Sequence, residues 1–312
     1  MSLVATRSSV HAEGGFKSFL ESLLVNTGRV AVVGPTAAGK SEFAMEIARM
    51  ASRRGSPPFE IVSVDSMAVY RGMDIGTAKP SARDRMEVPH HMIDVVDPWE
   101  EYSVSLFKSQ ADHAMEEIES KGHRVLMVGG TGLYLRALVD GLEIPGRYPQ
   151  LRAQLEAQCA ELGPETLHRR LSELDPVSAT RMEPSNARRI VRALEVTMGC
   201  GRPFSSFGPG LGHYPASTVT MVGVDAEDLD QRIAARVRRQ IGEGLLDEVR
   251  HLAERGLSPT ARQALGYREM LAHLEGRTSL EEAVAETVRR SRLFARRQRR
   301  WFRRDPRIRW IT

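Results

Sequence analysis

Short apolar runs alternate with amphipathic stretches along most of the chain. Residues 29–33 form a β-rich run that stops at Gly34, and residues 41–51 place Phe43, Ala44, Ile47, Ala48 and Ala51 on one helical stripe. That pattern predicts a strand, a glycine turn and a helix. Further apolar runs at 60–64, closed by Asp65, and at 124–128, closed by Gly129-Gly130, predict two more buried strands, with helices at 104–121 and 131–140. Strands and helices alternating in this way predict an α/β domain on a parallel sheet. Over residues 149–198 the texture becomes charged amphipathic helix, at 151–162, 165–174 and 186–198, broken by Pro149, Pro164, Pro176 and Pro184. This reads as a helical insertion, because a strand pattern resumes at 218–224 and is followed by helices near 228–242, 245–255, 267–274 and 279–304. Residues 1–28, with a short helical stretch near 16–24, form a loose lead-in to which no function is assigned. The expected organisation is that lead-in, an α/β core at 29–148 and 199–312 that ends in basic helices, and a helical insertion at 149–198.

Composition narrows the class without deciding it. The 312 residues are 41% hydrophobic and 27% charged, which is ordinary for a globular protein and excludes a disordered or collagen-like chain. No apolar run approaches the ~18 residues of a membrane-spanning helix, and Glu13, Lys17 and Glu21 interrupt the start where a secretory signal needs apolar residues. A cytoplasmic protein with no membrane association is expected. Cys159 and Cys200 are too few for a disulfide framework or a cysteine zinc site. The net charge is +4, yet residues 289–309 hold eleven arginines against Asp305 alone, so the rest of the chain is net acidic. Such a basic block suits a polyphosphate partner or, more simply, a solvated helix face.

Gly34-Pro35-Thr36-Ala37-Ala38-Gly39-Lys40-Ser41 satisfies G-x-x-x-x-G-K-[ST] between a predicted strand and a predicted helix. In such a P-loop the backbone N–H groups and the helix N-terminus surround a phosphate, Lys40 adds a mobile cation, and the Ser41 hydroxyl can hold Mg²⁺. The motif identifies phosphate and leaves the reaction open. Asp65, at the end of the 60–64 run, is a candidate either for a Mg²⁺-holding acid or for a general base. The polar loop after it and Gly129-Gly130-Thr131-Gly132 both follow strand ends, where α/β sheets bind ligands. Thr131 can present a hydroxyl there or simply cap the next helix.

Taken together, GPTAAGKS, VDSMAVYRGMDIGTAKP, VPHHMIDVVDP, VGGTGLYLRAL, RRIVRALEV and ALGYRE, in this order over about residues 29–304, resemble the tRNA dimethylallyltransferase (isopentenyltransferase) family. The resemblance implies a P-loop NTPase-like parallel sheet flanked by helices, with a helical insertion and a basic C-terminal helix. It implies transfer of a dimethylallyl group from dimethylallyl diphosphate to N6 of adenine 37, beside the tRNA anticodon, with release of diphosphate and no hydrolysis of ATP. By resemblance the loop from Gly34 to Ser41 cradles the diphosphate with Mg²⁺ on Ser41, Arg236 closes on it, and Arg232 is a second partner one helical turn earlier. Asp65 resembles the general base of the family, and Thr131 its channel threonine near the reacting centre. The implied tRNA contacts are Ser66, Met67 and Ala68; Arg188, Arg189 and Arg192; Gln263, Gly266, Tyr267 and Arg268; and Arg296, Arg297, Arg299, Arg300 and Arg303. Arg292, Arg296, Arg299 and Arg303 follow i, i+4, i+7 and i+11 and so share one helix face. Trp301 and Phe302 are expected to pack on the α/β core in preference to stacking on bases. His90 and His91 are expected to make structural hydrogen bonds. Many family members carry Gln where this chain has Ala68, and one bidentate base contact is worth ~1–3 kcal/mol of discrimination.

Three rival readings share parts of these observations. A small-molecule P-loop kinase would bind ATP at the same loop, but no arginine-rich lid stands near it in the sequence. An adenylate isopentenyltransferase, which prenylates a free nucleotide, would leave the basic tail unexplained. A non-catalytic, nucleotide-gated RNA-binding protein would leave Asp65 and Thr131 unexplained. The expectation is therefore a monomeric transferase with Mg²⁺ as cofactor and the tRNA anticodon stem-loop and dimethylallyl diphosphate as partners.

Overall fold

The computed structural model describes residues 28–311, together with residues 19, 21 and 23–25. Its sheet contains β1 (Val30–Val33), β2 (Phe59–Val64), β3 (His90–His91), β4 (Arg124–Gly129), β5 (Thr220–Val224) and β6 (Ile308–Ile311), all parallel, in the order β3-β2-β4-β1-β5-β6. Every residue of β1, β2 and β4 is buried. Strands covered on both faces need no polar alternation, which is why these read as near-continuous apolar runs. The register levels their carboxyl ends: Val33 lies opposite both Gly129 and Gly223, and Val64 lies opposite Gly129. The loops leaving β1, β2, β4 and β5 therefore emerge along one edge.

The helices in chain order are α1 (Lys40–Arg53), α2 (Ala82–Glu87), α3 (Val104–Ser120), α4 (Gly132–Val139), α5 (Pro149–Leu162), α6 (Pro164–Leu174), α7 (Pro176–Thr180), α8 (Ala187–Cys200), α9 (Leu229–Gly242), α10 (Leu245–Arg255), α11 (Tyr267–Leu274) and α12 (Leu280–Phe302). α1 buries Phe43, Ala44, Ile47, Ala48 and Ala51, the stripe visible in the sequence. α12 opens with a capping box in which the Ser279 side chain accepts the Glu282 N–H and the Glu282 carboxylate accepts the Ser279 N–H. Two strands escape the sequence pattern. β3 is only two histidines long, β6 fully buries only Ile308 of its four residues, and both lie at the ends of the sheet. Segments so short have too few apolar positions to show a period, and their pairing is decided by the neighbouring strand.

Two compact units divide the chain, one formed by Met1–Leu135 with Ala216–Thr312 and the other by Arg136–Pro215. The second is wider than the expected insertion. Arg136, 3% exposed, pairs with Asp140 and donates to the carbonyls of Leu211 at 3.0 Å and His213 at 2.5 Å, which ties both flanks to that unit. Its core is built from Leu155, Leu167, Leu171, Ile190, Val191 and Leu194. Pro149, Pro164 and Pro176, expected as breaks, stand in the first turns of α5, α6 and α7, where no N–H is missed.

Of the expected lead-in, residues 19, 21 and 23–25 are helical, and the rest of the helix expected near 16–24 lies outside the described residues. The described part is not loose. Phe19, Leu23 and Leu24 join the core beside α1, and the buried Arg124 guanidinium donates to the carbonyls of Leu23 at 2.8 Å and Leu24 at 3.0 Å.

Candidate active site

β1 delivers the chain to Gly34, where φ is +145° and a Cβ would lie 2.1 Å from the Val224 carbonyl oxygen, so only glycine passes. Ala37 at φ 62° and Gly39 at φ 94° then curl the loop back on itself. The strain of a non-glycine residue at positive φ is of order 1–3 kcal/mol, and such strain is typical of ligand loops. Gly39 starts α1 without a side-chain cap, which leaves the first-turn N–H groups and the positive helix end directed outward.

Two cations converge on this loop. Lys40 Nζ donates to the Pro35 carbonyl at 2.7 Å. Burial pushes the Lys40 ammonium down to about 8, nearby Arg236 adds to the shift, and Asp65 opposes it. Arg236, on α9, donates from Nη1 to Thr36 Oγ1 at 3.2 Å and from Nη2 to the Thr77 carbonyl at 3.3 Å. Burial lowers Arg236 as well, against the attraction of Asp65, yet a guanidinium stays charged at physiological pH. Confined cations of this kind are relieved by a polyanion. Arg232 does not join them; its Nε lies 2.7 Å from Asp228 Oδ1. One helical turn, ~5 Å of rise, separates it from Arg236 and carries it past the loop.

Asp65 follows β2 directly. Its Oδ1 accepts the Met67 N–H at 2.8 Å and the Ala68 N–H at 3.4 Å, and its Oδ2 takes no hydrogen bond from the described residues. The Thr131 N–H binds the Val64 carbonyl at 3.2 Å, and Thr131 Oγ1 accepts the Ser66 N–H at 3.1 Å. These bonds stitch the β2 and β4 ends side by side. Gln298 of α12 completes the edge: its Oε1 accepts the Thr36 N–H at 2.8 Å and its Nε2 donates to the Gly130 carbonyl at 2.9 Å. Sequence reasoning missed Gln298 and reached Thr77 only as part of the polar loop after Asp65. The sole signal for Gln298 was an uncharged amide inside the run Arg296-Arg297-Gln298-Arg299-Arg300.

The expected tRNA contacts divide between exposed positions and positions turned into the protein. Ser66 and Met67 are half-buried and Ala68 is 6% exposed. Gln263 and Arg268 are exposed and line a cleft of about 580 Å³ with Arg262, Arg277, Arg289 and Arg290. Gly266 and Tyr267 are buried instead, with the Tyr267 hydroxyl donating to Glu248 Oε1 at 2.5 Å, so their place is inside the protein rather than on a contact surface. The arginine face of α12 exists, but it is turned toward two acids of the chain itself. Arg292 and Arg296 lie 3.9 and 3.5 Å from Asp230, and Arg299 and Arg303 lie 2.8 and 3.3 Å from Asp225. Arg297 and Arg300 are exposed. Trp301 packs on Gly132, where a Cβ would fall 2.1 Å from its Nε1, and Phe302 is 2% exposed, both as expected. In the other unit Arg188 and Arg189 are exposed on the first turn of α8. Arg192 turns inward, donating to the Pro145 carbonyl at 2.9 Å and pairing with buried Glu195 at 2.8 Å. His90 Nδ1 lies 2.7 Å from the Val88 carbonyl and His91 Nε2 lies 2.5 Å from Glu60 Oε2, which are structural bonds.

Comparison with known proteins places relatives beside this geometry. The family profile described as IPP transferase matches residues 68–305. A tRNA dimethylallyltransferase of Kineococcus radiotolerans is 47% identical over 288 residues, 92% of this chain and 91% of that one. One of Thermobifida fusca is 46% identical, covering 90% of this chain and 89% of the relative. Among solved structures, the full-length tRNA isopentenylpyrophosphate transferase of Bacillus halodurans superposes with a TM-score of 0.64 at 38% identity, covering 91% of this chain and 89% of that one. A eukaryotic dimethylallyltransferase acting on tRNA gives 0.72 at 27% identity, with 88% of this chain and 70% of that one covered.

Proposed function

Because this chain belongs to the IPP transferase family, we propose that it transfers a dimethylallyl group from dimethylallyl diphosphate to N6 of adenine 37 beside the tRNA anticodon, releasing diphosphate. One observation carries this reading. An anion cradle with Lys40 and Arg236 stands on the same sheet edge as the Asp65, Ser66 and Thr131 cluster.

Breaking the allylic C–O bond leaves its electron pair on the diphosphate, so stabilising that charge is the main task. The first-turn N–H groups of α1, Lys40 and Arg236 are set for it. Ser41, on the first turn of α1 and exposed, suits Mg²⁺, which takes one or two protein oxygens plus substrate phosphates. When bound, Mg²⁺ supplies charge neutralisation on the departing diphosphate. The exocyclic amine of adenine is a weak nucleophile, because its lone pair is delocalised into the ring. As its nitrogen bonds to carbon it gives up a proton, and Asp65 Oδ2 is the oxygen left to accept it. In this reading Thr131, whose Oγ1 accepts the Ser66 N–H, stands beside the point where donor and acceptor meet. Adenine must leave the anticodon stack to arrive there, and phosphate contacts from the exposed Arg188, Arg189, Gln263, Arg268, Arg297 and Arg300 would hold the loop while it does. The reading includes a monomer working in the cytoplasm.

The test incubates the protein with Mg²⁺, unmodified tRNA and labelled dimethylallyl diphosphate, then digests the tRNA and identifies its nucleosides. N6-dimethylallyladenosine at position 37, formed without ATP, is the expected product. Label transferred to free AMP but not to tRNA would establish a nucleotide acceptor, and phosphate transfer from ATP would establish a kinase.

A further inference from the structure

The loop between β2 and α2 carries Asp74-Ile75-Gly76-Thr77-Ala78-Lys79-Pro80. It is joined to the phosphate loop through Arg236, whose guanidinium donates to the Thr77 carbonyl at 3.3 Å and to Thr36 Oγ1 at 3.2 Å. What sets the position of that carbonyl is on the other side of the loop. Glu248, on α10, accepts the N–H of Asp74 at 3.0 Å and of Ile75 at 2.8 Å on Oε2, and the N–H of Gly76 at 3.2 Å on Oε1. One carboxylate thus caps three consecutive peptide groups, as an anion does in a backbone nest.

The same carboxylate is itself held. The Tyr267 hydroxyl donates to Glu248 Oε1 at 2.5 Å, and burial together with the Glu248 charge raises the Tyr267 pKa and keeps it a donor. From α9, Gln240 donates to the carbonyls of Ile75 at 2.6 Å and Gly76 at 3.0 Å. Gln240 is one helical turn beyond Arg236, so the amide that grips the loop and the guanidinium that uses it ride on one helix face. Lys79, with only 2% of its side chain exposed, closes the far end on Asp74 at 2.7 Å and Asp94 at 2.5 Å. Gly76 is required at the crossing, because a Cβ there would come within 2.3 Å of the Tyr267 ring.

Resting on the reading of Arg236 as a diphosphate ligand, we propose that Glu248 is a positioning residue for the transfer: by capping residues 74–76 it fixes the Thr77 carbonyl that, with Thr36 Oγ1, holds the Arg236 guanidinium at the phosphate loop. Glu248 bonds to this loop and to Tyr267, so on this proposal its effect on diphosphate binding vanishes when Arg236 is removed, which separates it from a general structural role.

The experiment titrates inorganic diphosphate, with Mg²⁺, into the full-length wild type, Glu248→Gln, Arg236→Ala and the double variant, and measures KM for dimethylallyl diphosphate and for tRNA. Glu248→Gln should weaken diphosphate binding about tenfold, the effect of losing hydrogen bonds to a charged acceptor, and raise KM for dimethylallyl diphosphate in step, with KM for tRNA changed less than about twofold. In the Arg236→Ala background the same change should cost less than about twofold, because two residues acting through one contact are not additive. Equal losses in both backgrounds, or a matching rise in KM for tRNA, would overturn the proposal. If Glu248→Gln does not fold, Tyr267→Phe takes its place, with a two- to threefold loss expected in the wild-type background and none in Arg236→Ala; no loss in either overturns it. Diphosphate binding as tight in Glu248→Gln as in the wild type overturns the proposal alone, whereas a wild type that binds no diphosphate overturns the underlying reading as well.

Discussion

At the scale of the residue, Asp65 divides its carboxylate between two tasks. Oδ1 ends the turn into Met67 and Ala68, and in the proposed reaction Oδ2 takes the proton. Asp65→Asn keeps the turn bonds and removes the basicity, so single-turnover transfer at saturating tRNA should fall ~10²–10⁴-fold while tRNA affinity in a filter-binding assay stays within about twofold. Equal loss of binding would remove the general-base role. Asp225 offers a pH test. Burial opposes its ionisation, but hydrogen bonds from Arg299, the Ala226 N–H and Arg303 outweigh burial and hold its carboxyl below the usual carboxylate range. A lowered folded-state pKa means a stabilising contribution that is complete above the unfolded value and is lost as pH falls through the folded one. Asp225→Asn should therefore destabilise the protein at pH 7 in urea unfolding, with the difference from wild type shrinking below about pH 4. A difference that persists unchanged into acid would refute the charge-based account.

At the scale of the element, α12 serves two purposes that its arginine pattern alone does not separate. Its face of Arg292, Arg296, Arg299 and Arg303 is drawn toward Asp225 and Asp230, whereas Arg297 and Arg300 stand free of that face. Different arginines should then fail differently. Arg299→Ala strips Asp225 of its bidentate partner and should cost about 1–3 kcal/mol of stability in denaturant unfolding, as hydrogen bonds to a buried charge do. Arg297→Ala with Arg300→Ala should leave stability unchanged, weaken tRNA binding, and flatten its dependence on salt by about one unit of slope per lost phosphate contact. A stability loss in the second pair, with salt dependence intact, would contradict the division. Helix α9 shows the same logic, since Arg236 reaches the loop and Arg232, one turn away, reaches only Asp228.

At the scale of the whole molecule, charge is distributed by segment, with a basic stretch at 289–309 on a chain otherwise net acidic. The helical unit adds exposed Arg188 and Arg189. Arg188→Ala with Arg189→Ala should weaken tRNA binding and leave diphosphate binding, followed by calorimetry, unchanged; a matching loss of diphosphate affinity would show that the pair acts on the cradle instead. The sequence by itself determined the central strands, the P-loop between β1 and α1, the position of Asp65 and Thr131 at strand ends, and the helical character of the insertion. Each is a local matter: buried parallel strands are apolar throughout, amphipathic helices keep a 3.6-residue period, and a phosphate loop needs glycines at set intervals. Tertiary structure decided what depends on partners distant in sequence. It paired β3 and β6 at the sheet ends, placed Phe19, Leu23 and Leu24 in the core, chose Arg236 over Arg232, turned Tyr267 and Arg192 inward, and brought Gln298 and Glu248 to loops some 262 and 172 positions away. No spacing rule relates such residues, because the contact between them is made only when the sheet and its helices close.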